Sequence, residues 1–207
     1  MVRIGVCGLS GSGKTTFSAL LARQLDSVVI AQDNFYIGNR AMLSSGISGE
    51  DFDSLEALDC DQLSSVLKSI KSCADTEVDI PVYDFKRQEP AGKSKIRLKD
   101  TVIIEGHLIF TSAEILADVD FLIYIDIDRV TAEKRRFARD INERGYNLEN
   151  SKSYYDRFVI AGLDIIEQLK LKADYVVSCK GGIEDYNGHV NDIAHILSLD
   201  MLSSKNG

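Results

Sequence analysis

The amino-acid sequence predicts an α/β fold, a parallel sheet of about five strands flanked by helices. Short β-rich apolar runs alternate along the chain with amphipathic helical patterns, as in a parallel sheet with right-handed crossovers. Runs such as "TVIIEG" are apolar at consecutive positions, which is typical of strands covered on both faces. A glycine-rich turn, "GLSGSGKTT" (8–16), joins the first strand to the first helix.

The elements follow from these patterns in chain order. Strands are predicted at 2–7, 27–32, 78–83, 101–105, 121–127 and 174–179. Apolar residues at helical spacing predict helices around 17–25, 63–70, 158–169 and 190–197. The basic stretch "KRQEPAGKSKIRLKD" is interpreted as a small β-hairpin with solvated charges and a turn at 90–92.

Composition limits the class of protein. The chain has 207 residues, 44% of them hydrophobic, and no Pro/Gly/Ser-rich linker, so a single domain over 1–207 is expected. A formal net charge of −8 argues against a nucleic-acid or anionic-membrane surface. The apolar runs are too short to span a bilayer, no signal peptide is evident, and the scattered cysteines are interpreted as free thiols. A soluble, cytoplasmic protein is expected.

The glycine-rich turn predicts a nucleoside triphosphate site. Gly8, Gly13, Lys14 and Thr15 complete the pattern G-x-x-x-x-G-K-[ST], which between a strand and a helix predicts a parallel sheet of the P-loop NTPase type. The glycines let backbone N–H groups surround an anion at the positive end of a helix dipole. Lys14 is expected at the β/γ-phosphates and the Thr15 hydroxyl at Mg²⁺. The residues assigned to the cofactor ATP (or GTP) are Gly8, Ser10, Gly11, Ser12, Gly13, Lys14, Thr15 and Thr16.

Asp33, in "AQDNFY" after the second strand, points to an alcohol as phosphoryl acceptor. A carboxylate there would orient the attacking O–H and accept its proton, whereas it would repel a phosphate acceptor. An Asx-turn or helix N-cap is the competing interpretation of this aspartate. The guanine-reading tetrad N-K-x-D of regulatory GTPases does not occur in the sequence.

Two further groups complete the predicted phosphoryl-transfer site. Glu105 ends the strand "TVIIE" and is the expected partner of Thr15 in holding Mg²⁺; a simple strand-end charge is the alternative. Arg136 and Arg139 share one face of the helix "TAEKRRFARDINERG". On a lid over roughly 131–150 they would neutralise charge on the transferred phosphoryl group, although a solvated helix face would show the same spacing.

The ordered set "GLSGSGKT", "QDNFY", "DFD", "IPVYDF", "VIIEG" and "RDINERGYNLE" resembles the uridine–cytidine kinase and phosphoribulokinase family of P-loop kinases. The resemblance implies a parallel five-stranded sheet with a lid and a β-hairpin, and phosphorylation of a nucleoside 5′-hydroxyl. It also implies roles for Asp33 as catalytic carboxylate and for Arg136 and Arg139 near the phosphates and sugar. The resemblance further places backbone of "SCKGG" (178–182) near the adenine ring.

The same resemblance implies a nucleoside-like acceptor site. Asp53 matches an aspartate that binds the ribose hydroxyls; from spacing alone it is equally a helix N-cap with Glu56. Tyr83 and Phe85 match aromatics that flank the base, with strand-end core packing as the alternative. Phe52 and His107 are assigned to the same site, His107 with packing as the alternative. The acceptor-site residues are Asp53, Phe52, Tyr83, Phe85, Gln88, His107, Arg136 and Tyr146.

Three positions depart from the uridine kinase pattern. Gln88, Tyr146 and Tyr154 stand where a histidine, an arginine and a glutamine that read the pyrimidine are usual. The run "FDSLEAL" also resembles nicotinamide riboside kinases. The family resemblance makes uridine or cytidine the first expected acceptor. The departures and the "FDSLEAL" run make nicotinamide riboside or another small alcohol the second. A nucleotide-binding regulatory protein without turnover is a further alternative, and a homo-oligomer is compatible with the family.

Overall fold

The computed structural model describes residues 1–46, 51–72, 77–178 and 183–203. The strands in these residues are β1 (Val2–Gly8), β2 (Val28–Ala31), β3 (Glu77–Asp84), β4 (Glu89–Arg97), β5 (Thr101–Glu105), β6 (Phe121–Asp126) and β7 (Tyr175–Ser178). Five of them form one parallel sheet in the order β2-β5-β1-β6-β7. The predicted parallel sheet of about five strands is thereby confirmed.

The predicted run 78–83 forms a hairpin instead of a sixth parallel strand. It lies in β3, which pairs antiparallel with β4 apart from the main sheet. The turn predicted at 90–92 is wrong, because the chain reverses at 85–88. There the Asp84 carboxylate accepts hydrogen bonds from the backbone N–H groups of Lys86 and Arg87, at 2.9 and 3.1 Å, and Gln88 adopts a φ of 54°. An Asx-type turn therefore outcompetes the Pro–Ala–Gly sequence, whose residues lie within β4.

Eight α-helices cover the sheet and frame its carboxyl edge in the described residues. They are α1 (Lys14–Leu25), α2 (Asn39–Ser44), α3 (Cys60–Ser72), α4 (Ala113–Ala117), α5 (Arg129–Asn142), α6 (Leu148–Tyr154), α7 (Leu163–Gln168) and α8 (Ile183–Ser203). The predicted helices at 17–25, 63–70 and 190–197 are confirmed as α1, α3 and α8. The pattern at 158–169 covers α7 together with the tight turns before it. Asp128 and Asn147 begin α5 and α6 by accepting hydrogen bonds from Thr131 and Asn150 backbone N–H groups.

The apolar core lies on both faces of the sheet, as the consecutive apolar runs predict. Alternate residues of each central strand point to opposite faces. Ile4, Ile103 and Ile123 pack with Phe17 of α1 and Ile193 of α8 on one face. On the other face the core residues include Val102, Ile104, Leu122, Tyr124, Phe110, Leu67 and Ile166. Burying each such side chain contributes roughly 1.5–3 kcal/mol, so the strand ends that carry the site are held rigidly.

The strand register brings the loops after β1, β2 and β5 together. Glu105, the last residue of β5, lies opposite Val6 of β1 and Ala31 of β2. Ligands in such sheets bind where the carboxyl ends of the strands meet.

No described helix is both long enough and apolar enough to cross a bilayer. Of the cysteines, Cys7 and Cys60 are free, and burial raises the pKa of the Cys7 thiol to about 12, while 73 and 179 lie outside the described residues.

Candidate active site

A cleft of about 570 Å³ opens at the carboxyl edge of the sheet, between the glycine-rich turn, the hairpin, α5 and α6. It gathers every residue that the sequence assigns to catalysis, metal binding and acceptor binding. Those residues are Lys14, Thr15, Asp33, Phe52, Asp53, Tyr83, Phe85, Gln88, Glu105, His107, Arg136, Arg139 and Tyr146. The assigned cofactor residue Ser10 also lines it. We name the part lined by the glycine-rich turn the phosphate end, and the part lined by Asp53 and the aromatic rings the acceptor end, after the roles predicted from the sequence.

The glycine-rich turn has the backbone of an anion cradle. Gly8, Gly11 and Gly13 have φ values of 145°, 87° and 96°, which side-chain-bearing residues rarely adopt. Ser12 is buried, and its Oγ has no hydrogen-bond partner among the described residues. Lys14 is the first residue of α1, so the open N–H groups of the helix start lie beside its ammonium group. The turn thus presents donors and an unsatisfied hydroxyl, as a bound polyphosphate requires.

Lys14 is held next to the acidic groups of the site. Its side chain is buried, and Nζ donates a hydrogen bond of 3.2 Å to the carbonyl oxygen of Leu9. Burial lowers the pKa of Lys14, whereas the charges of Glu105 and Asp33 oppose that shift. Thr16, also assigned to the nucleotide, is exposed on the first turn of α1.

Thr15 and Glu105 form the predicted pair of oxygen ligands. Thr15 Oγ1 donates to Glu105 Oε1 at 3.0 Å across the sequence separation of 90 residues. Burial raises the pKa of Glu105, while the nearby Lys14 ammonium lowers it. A hydroxyl and a carboxylate beside a polyphosphate cradle are the donors that Mg²⁺ prefers, so the residues present fit this ion.

Asp33 lies in a single turn of 3₁₀-helix, Gln32–Phe35, immediately after β2. Its carboxylate is half-exposed in the cleft, and its Oδ2 is 3.8 Å from Arg144 Nη2. The Arg144 guanidinium also lies over the ring of Phe85, with 4.9 Å from Cζ to the ring centroid. Arg144 therefore connects the segment after α5 to both ends of the cleft.

Asp53 is the most constrained acidic group in the cleft. Arg136 binds it in bidentate fashion, from Nη1 to Oδ1 at 2.9 Å and from Nη2 to Oδ2 at 2.7 Å. His107 Nε2 lies 3.1 Å from Oδ1, and the Tyr154 hydroxyl donates to Oδ2 at 2.9 Å. Burial disfavours the charged carboxylate, but Arg136 and these hydrogen bonds outweigh it and hold the pKa of Asp53 well below its usual range.

The helix-capping interpretation of Asp53 is wrong. The turn that follows it, Leu55–Ala57, begins after Ser54 and has no side-chain cap. The partners of Asp53 come instead from α5, α6 and the loop after β5, which are distant in sequence. The long-range ion pair with Arg136 outweighs the local hydrogen bonds that a capping box would offer.

Arg139 joins α5 to the phosphate end. Its Nη2 donates to Ser10 Oγ at 3.2 Å and lies 3.6 Å from Asp140 Oδ1. Burial and the neighbouring Arg144 charge lower its pKa. Arg136 and Arg139 thus share a helix face that lines the cleft, as their spacing predicts, and the alternative of a solvated face is wrong.

The acceptor end is aromatic. Tyr36 packs against Phe52, Tyr83 and Phe85, with ring centroids 5.6, 5.4 and 6.4 Å away. Tyr83 and Phe85 also contact each other at 5.2 Å, as expected for two residues on one face. These rings pack edge to face or tilted and line an aromatic recess of the cleft.

Two of the three departures from the uridine kinase pattern meet at the outer rim of this recess. Gln88 Nε2 donates to the hydroxyl of Tyr146 at 3.3 Å, and Asn39 Nδ2 donates to Gln88 Oε1 at 3.4 Å. Tyr154, the third departure, lies elsewhere, beside Asp53 and the backbone N–H of Phe52. Gln88 and Tyr146 therefore bring no charge to the rim, where Arg144 lies over the Phe85 ring, and Tyr154 belongs to the Asp53 cluster.

The family model of the phosphoribulokinase / uridine kinase family matches residues 3–180, which is most of the chain. This protein belongs to that family. Its enzyme class follows: it is a phosphotransferase with a hydroxyl group as acceptor. The resemblance stated from the sequence motifs is confirmed.

Individual relatives agree with the family. The chain is 34% identical to the uridine kinase of Brevibacillus brevis over 211 aligned positions, which cover 100% of this chain and 92% of that protein. It is 31% identical to uridine kinase-like protein 5 of Arabidopsis thaliana, of which it spans only 40%. Among solved structures, a candidate fructose transport system kinase from Silicibacter sp. TM1040 superposes with a TM-score of 0.70 at 23% identity, covering 84% of this chain and 88% of that one. That likeness shows the fold alone.

Several residues in or beside this family member's cleft were not assigned to the site from the sequence. Among them are Tyr36 and Arg144, which line the cleft, and Gln32, which contacts His107 behind it. Arg144 had a visible signal in its i,i+4 spacing from Asp140, and the two side chains approach to 3.5 Å. Gln32 and Tyr36 flank Asp33 in the segment "AQDNFY", but no spacing rule distinguishes them from packing residues. The "SCKGG" segment expected near adenine lies, from 179 onward, outside the described residues.

Proposed function

We propose that this protein transfers the γ-phosphoryl group of ATP to the 5′-hydroxyl of a ribonucleoside, with Asp33 as the general base. The observation that carries the proposal is one cleft that is lined by Asp33, by the Lys14–Thr15–Glu105 group and by the Asp53–Arg136 pair. A hydroxyl acceptor gripped at Asp53 would have its reactive end toward Asp33 and the phosphate cradle. The relatives named uridine kinase support this acceptor class.

Each residue then has a chemical role. The N–H groups of the glycine-rich turn and Lys14 hold the β- and γ-phosphates. Thr15 and Glu105 would hold Mg²⁺, which when bound offsets phosphate charge. Asp33 orients the acceptor O–H and takes its proton. Arg139 and Arg144 stabilise charge on the transferred group, since both guanidinium groups reach the phosphate end.

The acceptor is held by its sugar and its ring. Asp53 and Arg136 present a carboxylate and a guanidinium to sugar hydroxyls. Tyr83, Phe85 and Phe52 supply stacking faces for a base, while Gln88 and Tyr146 line the rim. Residues 131–150 are proposed to act as a lid that excludes water from the transferred group. A cytoplasmic location, where ATP is available, is part of the proposal.

Nicotinamide riboside is the second candidate acceptor. The observation that favours it is the pair Gln88 and Tyr146 at the rim, because neither side chain carries a charge that would repel a cationic pyridinium ring and the Tyr146 ring is exposed to receive one. A binding protein without turnover is disfavoured, since such a protein needs neither Asp33 nor Glu105 in the cleft.

The test is ADP release from the purified protein with Mg·ATP across uridine, cytidine, adenosine, nicotinamide riboside, ribose, pantothenate and ribulose 5-phosphate. The proposal expects release with a ribonucleoside and formation of its 5′-phosphate. Release only with nicotinamide riboside would establish the second candidate. ATP binding without release for any acceptor would refute both and favour the regulatory protein.

A further inference from the structure

Asp140 is a buried carboxylate that lies among three arginines at the wall of the cleft. Its side chain is 5% exposed. Oδ2 is 3.7 Å from Arg136 Nε, while Oδ1 is 3.6 Å from Arg139 Nη2 and 3.5 Å from Arg144 Nη1. Burial and the Arg144 charge lower the pKa of Arg139, and the Asp140 charge opposes that shift. Asp140 therefore offsets the repulsion that gathering these guanidinium groups creates.

The Asp140 carboxylate is itself fixed from two sides. Ser151 of α6, which is buried, donates a hydrogen bond of 3.0 Å from Oγ to Oδ2. At the backbone, the Tyr146 N–H donates to the carbonyl oxygen of Asp140 at 3.0 Å, just after Gly145, whose φ is 76°. A left-handed glycine after a helix lets the chain turn back onto a carbonyl of the last turn. Asp140 is thus a fixed point for the side chains around it.

The three arginines are held in different ways. Arg136 makes two short hydrogen bonds to Asp53, at 2.9 and 2.7 Å, and its side chain is 6% exposed. Arg139 and Arg144 lie beyond ordinary hydrogen-bond length from Asp140 Oδ1, which has no hydrogen-bond partner among the described residues. Their side chains are 30% and 24% exposed. Asp140 therefore holds these two by charge and leaves their N–H groups available to another anion.

We propose that Asp140 is a positioning residue for phosphoryl transfer, which holds Arg139 and Arg144 ready for the transferred phosphoryl group. This inference rests on the proposed function, because it assigns both arginines to that group. Arg139 already reaches the phosphate end through Ser10 Oγ, at 3.2 Å. Arg144 is shared, since Nη1 faces Asp140 while Nη2 lies 3.8 Å from Asp33 Oδ2. A phosphoryl group offers such arginines short charge-assisted hydrogen bonds that Asp140 does not make with them.

A purely structural role for Asp140 would give a different pattern. If the carboxylate only stabilised the packing of α5 on α6, its loss would impair the enzyme to the same degree with or without the two arginines. If it acts through Arg139 and Arg144, its effect on kcat disappears once both are removed. The two roles are therefore separated by repeating one substitution in two backgrounds.

The experiment measures kcat and KM for the best nucleoside substrate, with ATP affinity by calorimetry. Asp140→Asn should lower kcat by about tenfold to hundredfold, because misplaced charged groups stabilise the transition state poorly. The acceptor KM and the Kd for ATP should change by less than about threefold, because Arg136 keeps its bonds to Asp53 and the glycine-rich turn is untouched. Glu143→Gln is the matched control, since it removes an exposed acidic charge from the same segment, and it should leave all three constants unchanged.

The second background is the Arg139→Met/Arg144→Met protein. In it, Asp140→Asn should change kcat by less than about twofold, because the carboxylate has neither arginine left to position. Ser151→Ala is a milder variant that keeps the charge of Asp140 but loosens the carboxylate, so kcat should fall by about threefold in the wild-type background. That loss should also disappear without the two arginines.

The outcomes separate this inference from the proposed function. With an active wild type, an unchanged kcat in Asp140→Asn overturns the role of Asp140 while upholding the nucleoside kinase. A kcat loss of equal size in both backgrounds, or an equal loss in Glu143→Gln, overturns it as well. If Asp140→Asn does not fold, the same comparison is decided by Ser151→Ala. Absence of turnover with every nucleoside in the wild type overturns the proposed function and this inference together.

Discussion

Gln32 fixes the tautomer of His107. The Gln32 side-chain oxygen accepts hydrogen bonds from the backbone N–H groups of Leu108 and Ile109, at 2.8 and 3.1 Å, which orients its amide. Its Nε2 therefore faces His107 Nδ1 at 3.1 Å as a donor. Nδ1 must be unprotonated to accept that bond, so the proton sits on Nε2 and is donated to Asp53. Two residues outside the phosphate cradle thus hold the acceptor-site carboxylate.

This arrangement predicts an acid-sensitive stability. Burial lowers the pKa of His107 below its ordinary value of 6.5, although the bond to Asp53 opposes the shift. Below pH 6.5 the unfolded chain therefore binds a proton that the native state refuses, and stability falls as the pH is lowered. The free energy of unfolding should drop by about 1 kcal/mol between pH 7.5 and 5.5 through this residue alone. Denaturant titrations at several pH values measure it.

The His107→Gln variant isolates that contribution. A glutamine amide can donate to Asp53 but does not titrate, so the variant should lose this part of the pH dependence. His195→Gln is the control, because His195 is exposed on α8. Equal slopes for the wild type and His107→Gln would show that the pKa of His107 is not lowered in the native state.

The sequence predicts the phosphate end of the site well because that chemistry depends on local backbone. Gly8, Gly13 and Lys14 lie within one turn, and the strand before them and the helix after them are continuous apolar patterns. Strand ends then place Asp33 and Glu105 beside the turn, since parallel strands end at one edge. These positions follow from topology without any knowledge of side-chain packing.

The acceptor end was predicted by resemblance and only in part, because it depends on long-range packing. Asp53 contacts Arg136 across 83 residues and Tyr154 across 101, and no local pattern encodes either pair. The hairpin turn was placed wrongly because the Asp84 side chain, rather than the Pro–Ala–Gly sequence, caps the reversal. Tyr154 was expected among the base-reading positions, but α6 directs it to the Asp53 carboxylate.

Replacement of the proposed general base should slow turnover strongly and spare nucleotide binding. Asp33→Ala removes the carboxylate proposed to take the acceptor proton, so kcat should fall by about 10²–10⁴-fold. ATP affinity should change little, because the proposed phosphate contacts come from the glycine-rich turn and Lys14. Steady-state kinetics and ATP binding by calorimetry give the two readouts. Asp61→Asn, an exposed acidic residue of α3, is the control, and near-normal turnover in Asp33→Ala would remove Asp33 from the mechanism.

The buried ion pair should show strong coupling. Asp53→Asn leaves the buried Arg136 guanidinium with only the longer contact to Asp140, at 3.7 Å, and Arg136→Met leaves the buried Asp53 carboxylate with the hydrogen bonds of His107 and Tyr154 but without its arginine. Each single variant should lose about 3–5 kcal/mol of unfolding free energy. The double variant should lose less than the sum of the two, by about 1–3 kcal/mol. Additive losses in a denaturant-based double-mutant cycle would contradict the pairing.

Weakening the Thr15–Glu105 pair should raise the Mg²⁺ requirement. Glu105→Gln keeps the shape of the side chain but removes the charge that a divalent cation prefers. The Mg²⁺ concentration for half-maximal rate should rise by about tenfold or more at saturating ATP. Glu114→Gln, on the exposed side of α4 and away from the cleft, is the control. An unchanged Mg²⁺ dependence would show that Glu105 is not a metal ligand.

The glycine-rich turn tolerates no side chain where it meets α5. A Cβ at Gly11 would lie 2.2 Å from the backbone oxygen of Ala132, and its φ of 87° is unfavourable for alanine. Gly11→Ala should therefore lose at least about 2 kcal/mol of unfolding free energy and raise the KM for ATP.

Gly188 is the matched contrast, since it is exposed within α8 and nothing lies within 4 Å of its Cβ position. Gly188→Ala should stabilise the protein by about 0.5–1 kcal/mol and leave the kinetics unchanged, because it only raises helix propensity. Thermal and denaturant unfolding of the two variants side by side tests both signs, and a Gly11→Ala protein as stable as the wild type would refute the packing of the turn against α5.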